Sequence, residues 1–142
     1  MSGASRNTQL ALQKIKQIRE TTNAELAKKY RTRARQTPSM LHSIGLLGTL
    51  SYLFAAAGKQ EYDAIYLKHI MEYLGTSIGF LATTTSTKTT TTSRLPREDY
   101  DDIIRIINSL ANDAKLLAYS EAVLEPYLIE LKTFAEALLE SE

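Results

Sequence analysis

The chain has 142 residues, of which 44% are hydrophobic and 23% charged, with a formal net charge of +1 and no cysteine. A chain of this length withdraws about 68% of its unfolded surface from water on folding, so a single domain with its own core is expected and wholesale disorder is excluded. The lack of cysteine rules out a disulfide framework and thiolate metal sites, and MSGASRNTQLALQK lacks the apolar core of a signal peptide; a cytoplasmic protein with no membrane span is expected.

In chain order, Ala11, Ile15, Ile18, Thr22, Leu26 and Tyr30 recur three and four apart, which predicts a first helix over about 8–35. Pro38 is expected to end it, with Thr37 as N-cap and Pro38 as first residue of the next helix. That second segment, PSMLHSIGLLGTLSYLFAAAG, is apolar around nearly its whole circumference, the mark of a central helix. Gly45 and Gly48 lower its helix propensity by about 1 kcal/mol each, so close approach of another helix is the expected reason for them, and Gly58 is expected to stop it. A third helix over about 60–81 carries Tyr62, Ile65, Tyr66, His69, Ile70, Tyr73, Leu74 and Ile78 on one face.

The run TTTSTKTTTTSR from Thr83 to Arg94 has no periodicity and predicts a flexible loop over about 82–95. LPREDYDD then opens a fourth helix with Pro96 at its first position and acidic residues in its first turn, continued by Ile103, Ile104, Ile107, Leu110, Ala114 and Leu117. A fifth runs to about 140, starting at a Ser120 cap or at Pro126. The expectation is one all-α domain over the whole chain, a compact bundle of about five main helices around a buried, glycine-containing second helix.

Catalytic inventory is thin: two histidines, His42 and His69, no cysteine and no glycine-rich phosphate loop. His69 and Glu72 form one His-x-x-Glu pair where a helical di-metal site needs several such sets, so His69 reads as a core residue, and neither an enzyme nor a cofactor is expected. Of the tyrosines, Tyr62, Tyr66 and Tyr73 share an apolar face, and only Tyr30, set among cations, invites a ligand contact as well as a packing role.

The near-neutral total hides an asymmetry. Residues 1–37 hold nine Lys or Arg against two Glu, a sum of +7, and residues 98–142 hold eleven Asp or Glu against three cations, a sum of −8. Lys28, Lys29, Arg31, Arg33 and Arg35 crowd into eight residues. At the helical repeat Lys28, Arg31 and Arg35 share one face while Lys29 and Arg33 share the next. Cations at the expected C-terminus of the first helix would complement its dipole, but one or two suffice for that. With Lys14, Lys16 and Arg19 on the same segment, and arginine suited to bidentate phosphate contact, the eight form a candidate nucleic-acid-binding set.

The order Tyr-x-x-Arg-Ala-Arg-x-x-Pro-Ser-Met from Tyr30 to Met40, leading into LHSIGLLGTLSYLF, together with the closing SEAVLEPYLIELKTFAEALLE, resembles the small helical subunit of the type III-B CRISPR effector, the Cmr complex. The resemblance implies a non-catalytic subunit of an RNA-guided antiviral ribonucleoprotein. Its implied partners are the other Cmr subunits, further copies of itself stacked in a short filament, and guide and target RNA, with no membrane. The residues alone leave two other readings: a helical adaptor whose basic helix docks an acidic protein or an anionic membrane, and, more distantly, a metal-dependent helical enzyme.

Overall fold

The computed structural model describes residues 3–78 and 97–139. Five helices and no strand form over those residues: α1 (Gly3–Thr21), α2 (Ala24–Ala57), α3 (Glu61–Ile78), α4 (Arg97–Ala111) and α5 (Ala114–Leu138). The fold is the all-α bundle that the apolar spacing implies. The threonine tract lies outside the described residues.

Helix α2 runs through the middle, packing most extensively on α3 and α5 and touching α1 and α4 as well. Tyr30, Leu46, Leu50 and Leu53 of α2 are fully buried with Tyr66, Leu67, Ile70 and Leu74 of α3 and Leu124, Leu128 and Leu131 of α5. Ile15 of α1 and Leu110 of α4 complete the same core. Each such side chain contributes about 1.5–3 kcal/mol by leaving water, so this interior suffices to hold the helices without covalent staples. By length and apolar content α2 is also the one described helix that could cross a membrane. Here its apolar side chains serve the core.

The helix boundaries differ from those expected. The first break is at Asn23, whose side chain accepts from the Leu26 amide at 2.7 Å while its own backbone is extended. Just before it, the Thr21 and Thr22 hydroxyls bond back to the carbonyls of Gln17 and Ile18, closing α1. Thr-Thr-Asn is thus a stop and a cap, and side-chain oxygens at that point compete with the helix ladder. Pro38 does not end a helix. Thr37, expected as an N-cap, is instead a buried interior residue whose hydroxyl donates to the Arg33 carbonyl at 2.6 Å. An interior proline costs about 3 kcal/mol. Burial of Tyr30, Ala34, Thr37 and Leu41 on both sides of it outweighs that cost.

The real interruption of α2 is at Gly45, with φ 75° and ψ 178°, a conformation essentially confined to glycine. The turn that restarts there is capped across the bundle, because the Leu46 amide donates to the Glu121 carboxylate of α5 at 2.8 Å. Gly48 serves the same bend: a Cβ there would lie 2.9 Å from Cβ of Ile44, one turn back. Neither glycine admits another helix backbone, the role expected of them. Gly58 does cap α2, as expected, though in right-handed conformation.

Helix α5 likewise begins earlier than Ser120 or Pro126. Asp113 caps it by accepting from the Leu116 amide at 3.0 Å, and Pro126 sits exposed in its interior.

Replacing Gly45 with alanine should lower stability by about 1–3 kcal/mol, since the new Cβ meets a backbone region closed to it. Glu121→Gln should cost less than Glu121→Ala, because the amide oxygen can still accept from Leu46. Urea unfolding of the three variants checks the order; a neutral Gly45→Ala would contradict the capped bend.

Candidate nucleic-acid interface

The eight cations predicted to bind nucleic acid do not act as one group. Because α2 starts at Ala24, the cluster from Lys28 to Arg35 lies in the N-terminal part of a 34-residue helix, not at a C-terminus. Dipole compensation is therefore not its purpose, since cations gain nothing at the positive end of a helix.

Burial divides the cluster by face. Arg33 is 8% exposed and grips Asp63 of α3 with both arms of its guanidinium, Nε to Oδ1 at 2.6 Å and Nη2 to Oδ2 at 3.2 Å. Its remaining nitrogen, Nη1, donates to Gln36 Oε1 at 3.3 Å and to the Tyr52 hydroxyl at 3.1 Å. Burial pulls the guanidinium pKa down, but the hydrogen bonds to Asp63 and Tyr52 outweigh it and hold the pKa above its ordinary value. A pair buried this deeply loses much of its Coulomb gain to desolvation, while removing one partner typically costs about 3–5 kcal/mol. Arg33 therefore belongs to the fold: four of its five N–H donors are used within the chain and the residue is 8% exposed, so it is poorly placed to meet a phosphate outside.

Lys29, one turn before Arg33 on the same face, lies 3.9 Å from Glu25 and 6.0 Å from the centre of the Tyr62 ring. The opposite face is different. Lys28 and Arg31 are half-buried and Arg35 is exposed, and none has a carboxylate partner among the described residues. The Nε of Arg31 is buried without a hydrogen-bond partner. On α1, Lys16 and Arg19 are exposed and likewise unpaired among the described residues, whereas Lys14 reaches Glu72 of α3 at 2.6 Å. Of the eight, Lys14, Lys29 and Arg33 are engaged with acids of this chain; Lys16, Arg19, Lys28, Arg31 and Arg35 are not.

Tyr30, the tyrosine with a sequence claim to a ligand, is fully buried. Its hydroxyl shares a 2.7 Å hydrogen bond with His69 Nδ1, and its ring packs edge-on against Tyr66. The core reading of His69 holds. Burial, then the nearby charges of Lys14 and Lys68, pushes its pKa down to about 3, so the ring is neutral. His42 is exposed, with Nε2 2.5 Å from Glu125.

What sequence reasoning missed is on the Arg33 side. Tyr52 is 47% exposed, and the Arg33 guanidinium lies 4.9 Å from its ring centre and 5.9 Å from that of Tyr62. Lys29, Thr32, Arg33, Gln36, Tyr52 and Tyr62 line a concavity of about 230 Å³. No local spacing announces it, because Arg33 and Asp63 are thirty positions apart.

Over the described residues the chain is thus an all-helical bundle in which a row of cations meets no acid of its own. Its sequence matches the family model described as CRISPR-associated protein (Cas_Cmr5) over residues 4–138. The chain belongs to that family, the small Cmr5 subunit of type III-B CRISPR complexes, and its partners include other subunits of the Cmr complex. No curated protein and no solved structure matches it.

The buried His69 makes stability depend on pH in a set direction. Its ordinary pKa is 6.5 and its folded value about 3, so between the two the unfolded chain binds a proton the folded one does not. Stability contributed by the neutral ring is full above about pH 6.5 and is lost as pH falls toward 3, amounting to about 2 kcal/mol at pH 5. Urea unfolding of wild type and His69→Asn at pH 7 and pH 5 should show the smaller drop in the variant. Equal drops would place His69 in contact with solvent.

Proposed function

We propose that the chain is a non-catalytic small subunit of the Cmr ribonucleoprotein, with Lys28, Arg31 and Arg35 of α2 and Lys16 and Arg19 of α1 facing the phosphates of guide and target RNA. Copies stack in a short filament along that channel, in a complex that acts in antiviral defence in the cytoplasm. The observation that carries the reading is that these five cations have no acidic partner among the described residues, in a chain with ample acid. Its carboxylates are concentrated toward the other end, and those that reach the basic segment, Asp63 and Glu72, go to Arg33 and Lys14. Unpaired arginine and lysine in rows suit a polyanion, because each phosphate contact releases condensed counterions.

The same segregation favours stacking. A basic segment at residues 1–37 and an acidic one at residues 98–142 attract one another between copies at long range, which raises the rate of encounter and leaves Lys16, Arg19, Lys28, Arg31 and Arg35 to make their contacts with RNA. This replaces the adaptor reading with a specific assignment of its two charged ends.

The test uses Arg19→Glu and Arg35→Glu, both at exposed positions without an acidic partner. Each should shift stability by no more than about 0.5 kcal/mol. RNA binding by the assembled complex should weaken, with the log–log salt slope flattening by about 0.7 for each phosphate that is no longer neutralised. If the reversals instead loosen subunit association and leave the slope unchanged, the row is an assembly surface and the RNA assignment is wrong.

A further inference from the structure

We propose that the concavity between α2 and the start of α3 seats one unpaired nucleobase of RNA beside Tyr52 and Tyr62, over a floor formed by the Arg33 guanidinium. The inference rests on the RNA reading above and adds a base contact to its phosphate contacts.

Three observations support it. The first is preorganisation. Arg33 is pinned by two hydrogen bonds to Asp63 and in turn holds the Tyr52 hydroxyl at 3.1 Å and the Gln36 side-chain amide oxygen at 3.3 Å. Tyr52 is therefore a fixed ring, yet it stays 47% exposed. An aromatic side chain held in place by a buried ion pair and left open to solvent is a ready stacking platform, and a base adds to it without ordering cost on the protein side.

The second is size. At about 230 Å³ the concavity is smaller than the roughly 300 Å³ at which sites for drug-sized ligands begin, so it takes one ring system and not a whole nucleotide. The sugar and phosphate would remain outside, where Lys29 stands at the rim, 41% of its side chain exposed.

The third is chemistry. Arg33 and Asp63 cancel each other, so the guanidinium lines the concavity without a net charge to demand a counterion. With Gln36 Oε1 and the Tyr52 oxygen both accepting from Arg33, the Gln36 amide hydrogens and the Tyr52 hydroxyl hydrogen remain to donate. Two donor groups and no carboxylate among the lining residues suit the carbonyl edge of a base. They do not suit an amine or a cation.

The experiment measures RNA binding by the assembled complex carrying wild type, Tyr52→Phe or Tyr52→Leu, with oligouridylate RNA and with the same RNA carrying abasic positions. Tyr52→Leu should weaken binding of the base-bearing RNA about five-fold or more, the lower end for one base stacked on an aromatic ring. Tyr52→Phe, which keeps the ring but loses the hydroxyl, should bind the base-bearing RNA with an affinity between those of wild type and Tyr52→Leu. With abasic RNA the wild type and Tyr52→Leu should bind alike, and the salt slope should be unchanged by either substitution. No weakening for Tyr52→Leu, or an equal weakening with base-bearing and abasic RNA, overturns the proposal, the second result marking a structural role for the side chain. The two readings fail separately. If Arg19→Glu and Arg35→Glu flatten the salt slope while Tyr52→Leu has no base-dependent effect, only the nucleobase seat falls; if they leave the slope unchanged, the RNA reading falls with it.

Discussion

The buried ion pair between Arg33 and Asp63 decides how the rest of this surface is arranged. It fastens the first half of α2 to the start of α3, and so fixes the rotation of α2 about its axis. Once the Lys29 and Arg33 face is turned onto α3, helical geometry leaves Lys28, Arg31 and Arg35 on another side. The pair adds little net stability for its cost in desolvation, but few alternatives can satisfy a guanidinium at that depth, and orientation is what it contributes. The same anchor holds Tyr52 and Gln36, so the row of unpaired cations and the aromatic concavity derive from one constraint.

A second constraint lies further along α2. At Gly45 the helix breaks and restarts against Glu121, which ties its second half to α5 just as Arg33 ties its first half to α3. One long helix is thus clamped to two neighbours by two unlike polar contacts, an ion pair and a carboxylate cap. Packed leucines supply most of the stability, whereas these contacts choose the register. For a member of the Cas_Cmr5 family, which works as one piece of a larger assembly, a rigid central helix is the element that keeps surface rows in fixed relation.

Much of this was legible in the sequence, and the exceptions have physical causes. Five apolar-periodic segments announced a helical bundle because periodicity reports burial directly. Helix ends were harder. Pro38 looked like a stop, but propensity yields to a core that includes Tyr30, Thr37 and Leu41, whereas the modest Thr-Thr-Asn before Ala24 had side-chain oxygens placed to end one helix and start another. The charge row was visible as composition. Its division was not, because Asp63 is remote in sequence and reads as an ordinary first-turn acid of α3. Tyr52 was hidden for the opposite reason: it sits in an apolar run and reads as core, yet it is left partly exposed on the α3 side.

Burial sorts one cationic cluster into a part that holds the fold and a part that we propose meets RNA. Lysine acetylation read by mass spectrometry, on the chain alone, in the assembled complex without RNA, and in the complex with RNA, tests it most directly. Lys16 and Lys28 should become protected only when RNA is present, while Lys115 and Lys132 at the acidic end should not respond to RNA. Protection of Lys16 and Lys28 by assembly alone, or none in any state, would contradict it.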